Sequence, residues 1–289
     1  MTSTVTPALT DMAEVTRGRR SRWYRNAVLD AGLGIVFLLL LAAVLAPFLT
    51  PYRPEAQDLL HTLAPVGSPG HPLGTDELGR DVLSRLLHGA RLDYQIGFLA
   101  VFFPFCVGVC VGCVAGYLGG AVDTVVMRVV DVVMAFPFYV LVIALVFALG
   151  PGTRSIYVTF TAVGWISYAR IIRGEVLVAK EQEYLPAARS AGLGLPRIIW
   201  RHLLPNVITQ AVVYAVSDVV LAITAVVTLG YLGVGVVPPT PDWGSMIADG
   251  QSLLSSDWEL ATIPGLALVV TGVGLSLLGD GLSDVWRRS

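Results

Sequence analysis

What constrains this chain most is a set of long apolar runs that leaves little room for a water-soluble fold. Six can be read: Ala27–Leu49, Tyr94–Leu118, Val129–Leu149, Arg154–Ile172, Thr209–Gly235 and Leu260–Gly279. Each is close to or longer than the ~20 residues a helix needs to cross hydrocarbon. Their apolar residues are continuous rather than alternating, which selects helices over a barrel. Composition agrees, with 55% hydrophobic and only 14% charged residues, where soluble domains carry roughly a quarter charged. The sequence therefore predicts an all-α membrane protein of about six transmembrane helices.

The charges between the runs give an orientation. Arg17, Arg19, Arg20, Arg22 and Arg25 precede the first run, and the positive-inside tendency places them in the cytoplasm. With six spans, the tail, 119–128, 170–208 and the C-terminus are inside, and they carry fourteen of the nineteen Lys and Arg residues. The outer segment 236–259 has no Lys or Arg but holds Asp242, Asp249, Asp257 and Glu259. Both termini are expected to be cytoplasmic. The first run is too long for a signal peptide, and Pro47 after Val44-Leu-Ala46 disfavours cleavage.

The chain divides accordingly into a tail (1–26), a first transmembrane helix (27–49), an outer loop with an amphipathic helix (50–93), a membrane domain (94–280) and a short C-terminus (281–289). The membrane domain holds spans near 94–118, 129–149, 154–172, 209–235 and 260–279, and a cytoplasmic loop at 173–208. In the outer loop, Val82, Leu83, Leu86, Leu87 and Leu92 recur at helical spacing. Thr75 reads as the N-cap, with Asp76 and Glu77 near the positive end of the helix dipole. Pro104 and Pro137 are expected to kink their spans.

Gly108, Gly112 and Gly116 recur every four residues, clearing one helix face for close approach by another backbone. Cys106, Cys110 and Cys113 lie in the same run; one helix offers them no further ligands and poor disulfide geometry, so they read as small packing residues. His71, Asp76, Glu77 and His88 read as caps and surface groups, and no metal site is expected. Lys180 is the sole lysine and no glycine-rich phosphate loop precedes it. The usual nucleophile and metalloprotease motifs are also missing, which argues against a membrane-embedded enzyme. Asp218, near the middle of the fifth run, is either a pathway group or an acid hydrogen-bonded inside the bundle. Trp243 and Trp258 suit interfacial anchoring, with docking as their other use.

The loop after the fourth run is unusual in being polar, basic and patterned. Tyr184-Leu-Pro-Ala-Ala-Arg-Ser-Ala-Gly192 reads as a short helix started by Pro186 and ended by Gly192. Ala187, Ala188 and Ala191 keep that helix slim enough to be gripped by another protein. A second helical stretch follows, up to Leu204-Pro205.

These motifs together resemble the inner-membrane permease subunits of ATP-binding-cassette importers, in the branch handling dipeptides, oligopeptides and nickel. The chain is most similar there to the second of two paired permeases. The matching residues are His71-Pro-Leu-Gly-Thr-Asp-Glu-Leu-Gly-Arg-Asp-Val-Leu-Ser-Arg85 with Gly89-Ala-Arg91, the patterned loop itself, and Leu232-Gly-Val-Gly235 running into Pro238-Pro-Thr-Pro-Asp-Trp-Gly-Ser-Met246. Leu278-Gly-Asp-Gly-Leu-Ser-Asp284 adds to them, so the resemblance extends from 71 to 284.

The resemblance implies the type I importer permease fold in a bacterial inner membrane and no catalytic residue. It implies that Glu183, Pro186, Ala187, Ala188, Arg189, Gly192, Leu204 and Pro205 form a coupling helix and its surroundings, seated on an ATPase subunit. Expected partners are a homologous second permease, one or two ATPase subunits and an external solute-binding protein, with membrane lipid around the bundle and no nucleic acid. The binding protein is expected to dock near Thr75, Asp76, Arg80, Asp81, Asp242 and Trp243. No cofactor is expected on this chain, ATP and magnesium being used by the ATPase subunits. The cargo implied is a di- or oligopeptide, with nickel, a metal complex or glutathione as alternatives; a non-transport assembly or signalling protein is the reading from another class. Two positions depart from the family pattern: Pro186 stands where relatives have Glu, and Val226 where they often carry an acid.

Overall fold

The computed structural model describes residues 27–185, 190 and 192–286, and the side chains of all of these except Leu195 and Trp286. Among the described residues every regular element is helical; two isolated bridges, Ser68 with His71 and Thr75 with Asp81, pin the outer loop. The elements are α1 (Ala27–Val44), α2 (Ala46–Leu49), α3 (Val82–Leu118), α4 (Gly120–Met134), α5 (Phe138–Leu149) and α6 (Thr153–Lys180). After the cytoplasmic loop come α7 (Leu195–Ile198), a π-helical turn Ile199–Leu203, α8 (Leu204–Tyr231), α9 (Trp243–Gln251) and α10 (Glu259–Trp286).

Among the described residues four helical rods are long and apolar enough to cross a membrane: α1, α3, the α7–α8 rod and α10; α4 and α5 make a fifth if counted as one. The run Val129–Leu149, expected to be one span, is instead broken, with α4 and α5 bent by 90°. Pro137 stands at the break with φ −60° and ψ 128°, extended rather than helical, because a proline there has no N–H to continue the ladder. Pro104, by contrast, sits inside the continuous helix α3. The fourth run lies in α6, whose 28 residues include Arg154, Arg170, Arg173, Glu175 and Lys180. α6 packs one face against α3, burying Thr159, Phe160, Tyr168, Ala169, Ile172 and Val176, while Val158, Arg170 and Val178 stay exposed.

That α3–α6 seam is built on the glycine repeat. A Cβ added at Gly112 would fall 2.6 Å from the Ala169 carbonyl oxygen, and one at Gly116 would fall 2.9 Å from Val176 Cβ; at Gly108 it would meet the Trp165 carbonyl and Tyr168. Around the seam Ile96, Val109, Phe160, Ile172, Val226 and Leu229 form the main core. Only Cys113 of the three cysteines joins it; Cys106 and Cys110 are exposed, so the cysteines do not form one packed face, and all three are free thiols. The first span packs through glycines as well: a Cβ at Gly274 would lie 2.6 Å from Ile35 Cγ2 and one at Gly281 would lie 2.8 Å from Leu29 Cβ, both on α1. The outward side of α1 shows Phe37, Leu38 and Val44.

The expected outer amphipathic helix is not a separate element. α3 begins at Val82 and runs without a break into the membrane segment. Its N-cap is Asp81, not Thr75: Asp81 Oδ1 accepts from the Ser84 N–H at 2.6 Å. Thr75 closes the preceding loop, its hydroxyl accepting from Ala64 N–H at 2.8 Å and donating to the His61 carbonyl at 2.5 Å. At the far end of α3 the Lys180 ammonium donates to the carbonyls of Gly116 (3.2 Å) and Tyr117 (3.1 Å), where the helix dipole favours a cation.

Because the seam tolerates no side chain, Gly112→Ala is expected to lower stability by on the order of 1–3 kcal/mol. Gly174→Ala on α6, with no atom within 4 Å of its added Cβ, is expected to change it little. Thermal unfolding of the two variants in detergent reads the difference.

Candidate functional site

The loop after α6 is anchored at both ends by buried apolar side chains. Leu185 is buried before it, and Ile198 and Leu203 after it, all in the main core. Pro186, Ala187, Ala188 and Arg189, expected in the coupling helix, lie outside the described residues. Glu183 before them is exposed, and Gly192 after them has φ +73°, the left-handed conformation suited to a residue just past a helix end. Leu204 is half-buried and Pro205 exposed, with Pro205 just after the π turn that continues into α8. Arg197, Trp200 and Arg201 are exposed, giving the loop a basic and aromatic rim.

Three contacts that sequence reading missed brace the helix feeding this loop. Arg173 on α6 holds Asp123 on α4 in a two-pronged pair, Nε to Oδ1 at 2.5 Å and Nη2 to Oδ2 at 2.6 Å. Arg170 reaches Asp131 at 2.8 Å, and Lys180 closes α3 as described. The planar guanidinium fixes direction as well as distance. Each partner lies at least 39 positions away in sequence, which is why no local pattern announced it.

At the opposite end, the residues expected to dock a binding protein are interior. Thr75, Asp76, Asp81, Asp242 and Trp243 are all buried, and Arg80 is nearly so. Asp76 accepts from the backbone N–H of Leu78 and of Arg80, each at 2.9 Å, from Arg80 Nε at 2.7 Å, and from Arg85 Nη1. Both arginines also reach Asp249 on α9 at 3.3 Å. Asp81 Oδ2 bonds His71 Nδ1 at 2.8 Å while His71 stacks on Tyr52.

Trp243 is 1% exposed and so is neither a lipid anchor nor a docking residue. Its indole N–H donates to the Leu86 carbonyl at 3.0 Å, its backbone N–H to Asp93 at 3.0 Å, and Tyr94 meets its ring edge-on. Asp242 caps α9 by accepting from Ser245 N–H at 3.0 Å; burial raises its pKa while that bond opposes the rise. These polar residues clamp the outer loop, α3 and α9 together. Trp258, by contrast, is exposed.

Midway between the two ends, Asp218 on α8 accepts a 2.7 Å bond from the Tyr168 hydroxyl of α6 and lines a cavity of about 300 Å³. Phe138 and Tyr139 of α5, Phe160 and Ser167 of α6 and Tyr214 of α8 line it too. The acid is thus hydrogen-bonded within the bundle and open to a cavity at once. Val226, two turns further on, is buried core. Among the described residues no group of three or more His, Cys, Asp or Glu side chains is placed to hold a metal ion.

Residues 108–288 match the family of binding-protein-dependent transport system inner membrane components. The chain belongs to this family. Residues 17–65 further match the N-terminal transmembrane domain of oligopeptide transport permease C. This permease is therefore a multi-pass inner-membrane protein with the type I importer fold, a transport subunit rather than an enzyme. It is 39% identical to a dipeptide transport system permease protein of Bacillus subtilis over 91% of this chain and 82% of that protein. It is 34% identical to the Haemophilus influenzae dipeptide permease, over 87% of this chain and 88% of that protein. A probable D,D-dipeptide permease of Escherichia coli is 36% identical, over 87% and 84% respectively.

The outer clamp makes Asp76 the group to remove. Asp76→Asn leaves buried Arg85 with only its longer contact to half-exposed Asp249 and is expected to cost about 3 kcal/mol. Asp249→Asn, whose side chain is 47% exposed, is expected to cost less than ~1 kcal/mol. Chemical-denaturant unfolding of the purified permease separates the two.

Proposed function

We propose that this permease forms half of the translocation pathway of an ATP-driven importer for di- and oligopeptides, the other half coming from a homologous second permease. One or two ATPase subunits drive it from the cytoplasm, using ATP and magnesium, and an external solute-binding protein delivers the cargo. This chain binds no cofactor of its own. The observation that carries the reading is the cytoplasmic loop: a patterned segment with an exposed basic rim, anchored by Leu185, Ile198 and Leu203, in a chain without a phosphate-binding loop. The kinship with dipeptide permeases supports peptide as the cargo.

Mechanically, the loop acts as a lever. The π turn and α8 continue it into the membrane as one rod, Pro196–Tyr231. Docking of an ATPase on Glu183 to Gly192 moves the base of that rod, and the bundle switches between two packings that nucleotide weights differently. Deleting the chain is expected to abolish uptake of labelled dialanine by whole cells, with re-expression restoring it. Uptake of nickel and not of dialanine would overturn the peptide reading.

Gly192 tests the lever. Among the described residues its added Cβ meets no atom within 4 Å, while its φ of +73° is one that L side chains rarely adopt, so a substitution there acts chiefly through the backbone. Gly192→Val is expected to strain φ by roughly 1–2 kcal/mol, to leave the permease in the membrane, and to lower uptake severalfold while ATP hydrolysis continues. Unchanged transport per ATP would remove Gly192 from the lever.

A further inference from the structure

We propose that the cavity beside Asp218 is a subsite for a primary ammonium group, which in a peptide cargo is the free N-terminus; this rests on the peptide reading above. A carboxylate at membrane depth is retained only with partners, because hydrocarbon solvates no charge. Tyr168 supplies one neutral donor at 2.7 Å. Among the described residues none of the side chains lining the cavity is Lys, Arg or His, so no described cation faces the acid there.

The rest of the wall points to the same ligand. Phe138, Tyr139, Phe160 and Tyr214 surround the space, and aromatic faces attract cations in a desolvated site. Carboxylate plus aromatic walls is the chemistry that takes an ammonium group and repels a carboxylate. It would therefore orient a peptide, amino end toward Asp218. The volume of about 300 Å³ accepts one terminal residue rather than a long chain, at the small end of ligand sites. Tyr168 is fully buried and meets Tyr214 edge-on at 5.1 Å, so its hydroxyl is one neutral contact behind the acid rather than part of the cavity wall.

Four elements meet at this cavity. Ala100 comes from α3, Phe138 from α5, Phe160 and Ser167 from α6, and Tyr214 and Asp218 from α8. A shift of the α8 rod relative to α6 changes the cavity directly. A ligand held by one charge pair and ring faces is released when that geometry changes, as a translocation subsite requires.

The test uses the whole importer in liposomes, with its partner permease, ATPase subunits and binding protein, and labelled dialanine as probe. Asp218→Asn is expected to lower uptake about tenfold, as loss of one charge-assisted contact does, while the subunits still co-purify. Asp218→Glu is expected to keep at least a third of the uptake. Tyr168→Phe, which removes the hydrogen bond and leaves the carboxylate, is expected to keep at least half.

Wild-type uptake in Asp218→Asn overturns the subsite. Equal losses in Asp218→Asn and Tyr168→Phe overturn it too, since the acid would then serve only as Tyr168's acceptor. Should Asp218→Asn fail to assemble, Tyr168→Phe decides: retained uptake supports the subsite and lost uptake overturns it. A wild-type importer that moves no dialanine refutes the peptide reading instead.

Discussion

The close contact between α3 and α6 is the constraint on which the rest of the structure depends. In lipid there is little hydrophobic gain from bringing two apolar helices together, so dispersion and backbone proximity must hold them. Gly108, Gly112 and Gly116 supply that proximity by presenting backbone rather than side chains to Trp165, Ala169 and Val176. The consequence reaches beyond one seam. α6 sets its buried face against that stripe, with its charged residues at its start and toward its end, Arg154 and Arg170 exposed. The close packing brings Tyr168 opposite Asp218, Arg173 opposite Asp123 and Lys180 onto the end of α3.

How much of this was legible in the sequence follows from the range of the interactions. Four of the six expected spans were legible because hydropathy is summed over neighbours, while 129–149 is broken and 154–172 lies in a helix outside the most apolar rods. The glycine stripe was legible because its spacing is that of a single helix. Pro137 was visible too, but the 90° bend was not, since the residues on both sides stay apolar and composition carries no angle. The outer polar motif misled for a different reason. Asp76 and Arg80, read as the start of an outer amphipathic helix, and Asp242 and Trp243, read as outer loop, were all expected on an exposed face, since polarity alone predicts solvent. Their partners lie far along the chain: Arg85 meets Asp249 across 164 positions and Trp243 meets Asp93 across 150. A single sequence contains no signal for such pairings.

The outer clamp therefore has a structural meaning that differs from docking. Paired buried charges contribute little net stability against an apolar alternative, but a broken pair is costly. Such a network rejects wrong arrangements more than it stabilises the right one. Here it fixes where the α8–α10 connection sits on α3: Asp242 must cap α9 while the Trp243 N–H reaches Asp93. The exposed apolar side chains of this end lie outside the network, at Leu59, Leu60, Leu254 and Trp258.

One helix touches every region with a role. The base of the α7–α8 rod is set in the core by Ile198 and Leu203, next to the cytoplasmic loop. Asp218 follows Leu203 by fifteen residues, about four turns or ~22 Å along the axis. At the outer end Gly230 lies so close to Asp242 and Gly244 that its added Cβ would be 3.1 Å from the Asp242 carboxyl carbon, which holds α8 against the clamp. A helix pinned above and levered below cannot slide freely as a rigid body. On the coupling proposed above it would pivot about the pinned end, with displacement growing with distance from the clamp. Asp218 would then move less than the loop but more than Gly230, and the cavity would open or narrow by a fraction of the loop's excursion. In that reading a cytoplasmic push changes the membrane interior without requiring the outer face to be dismantled.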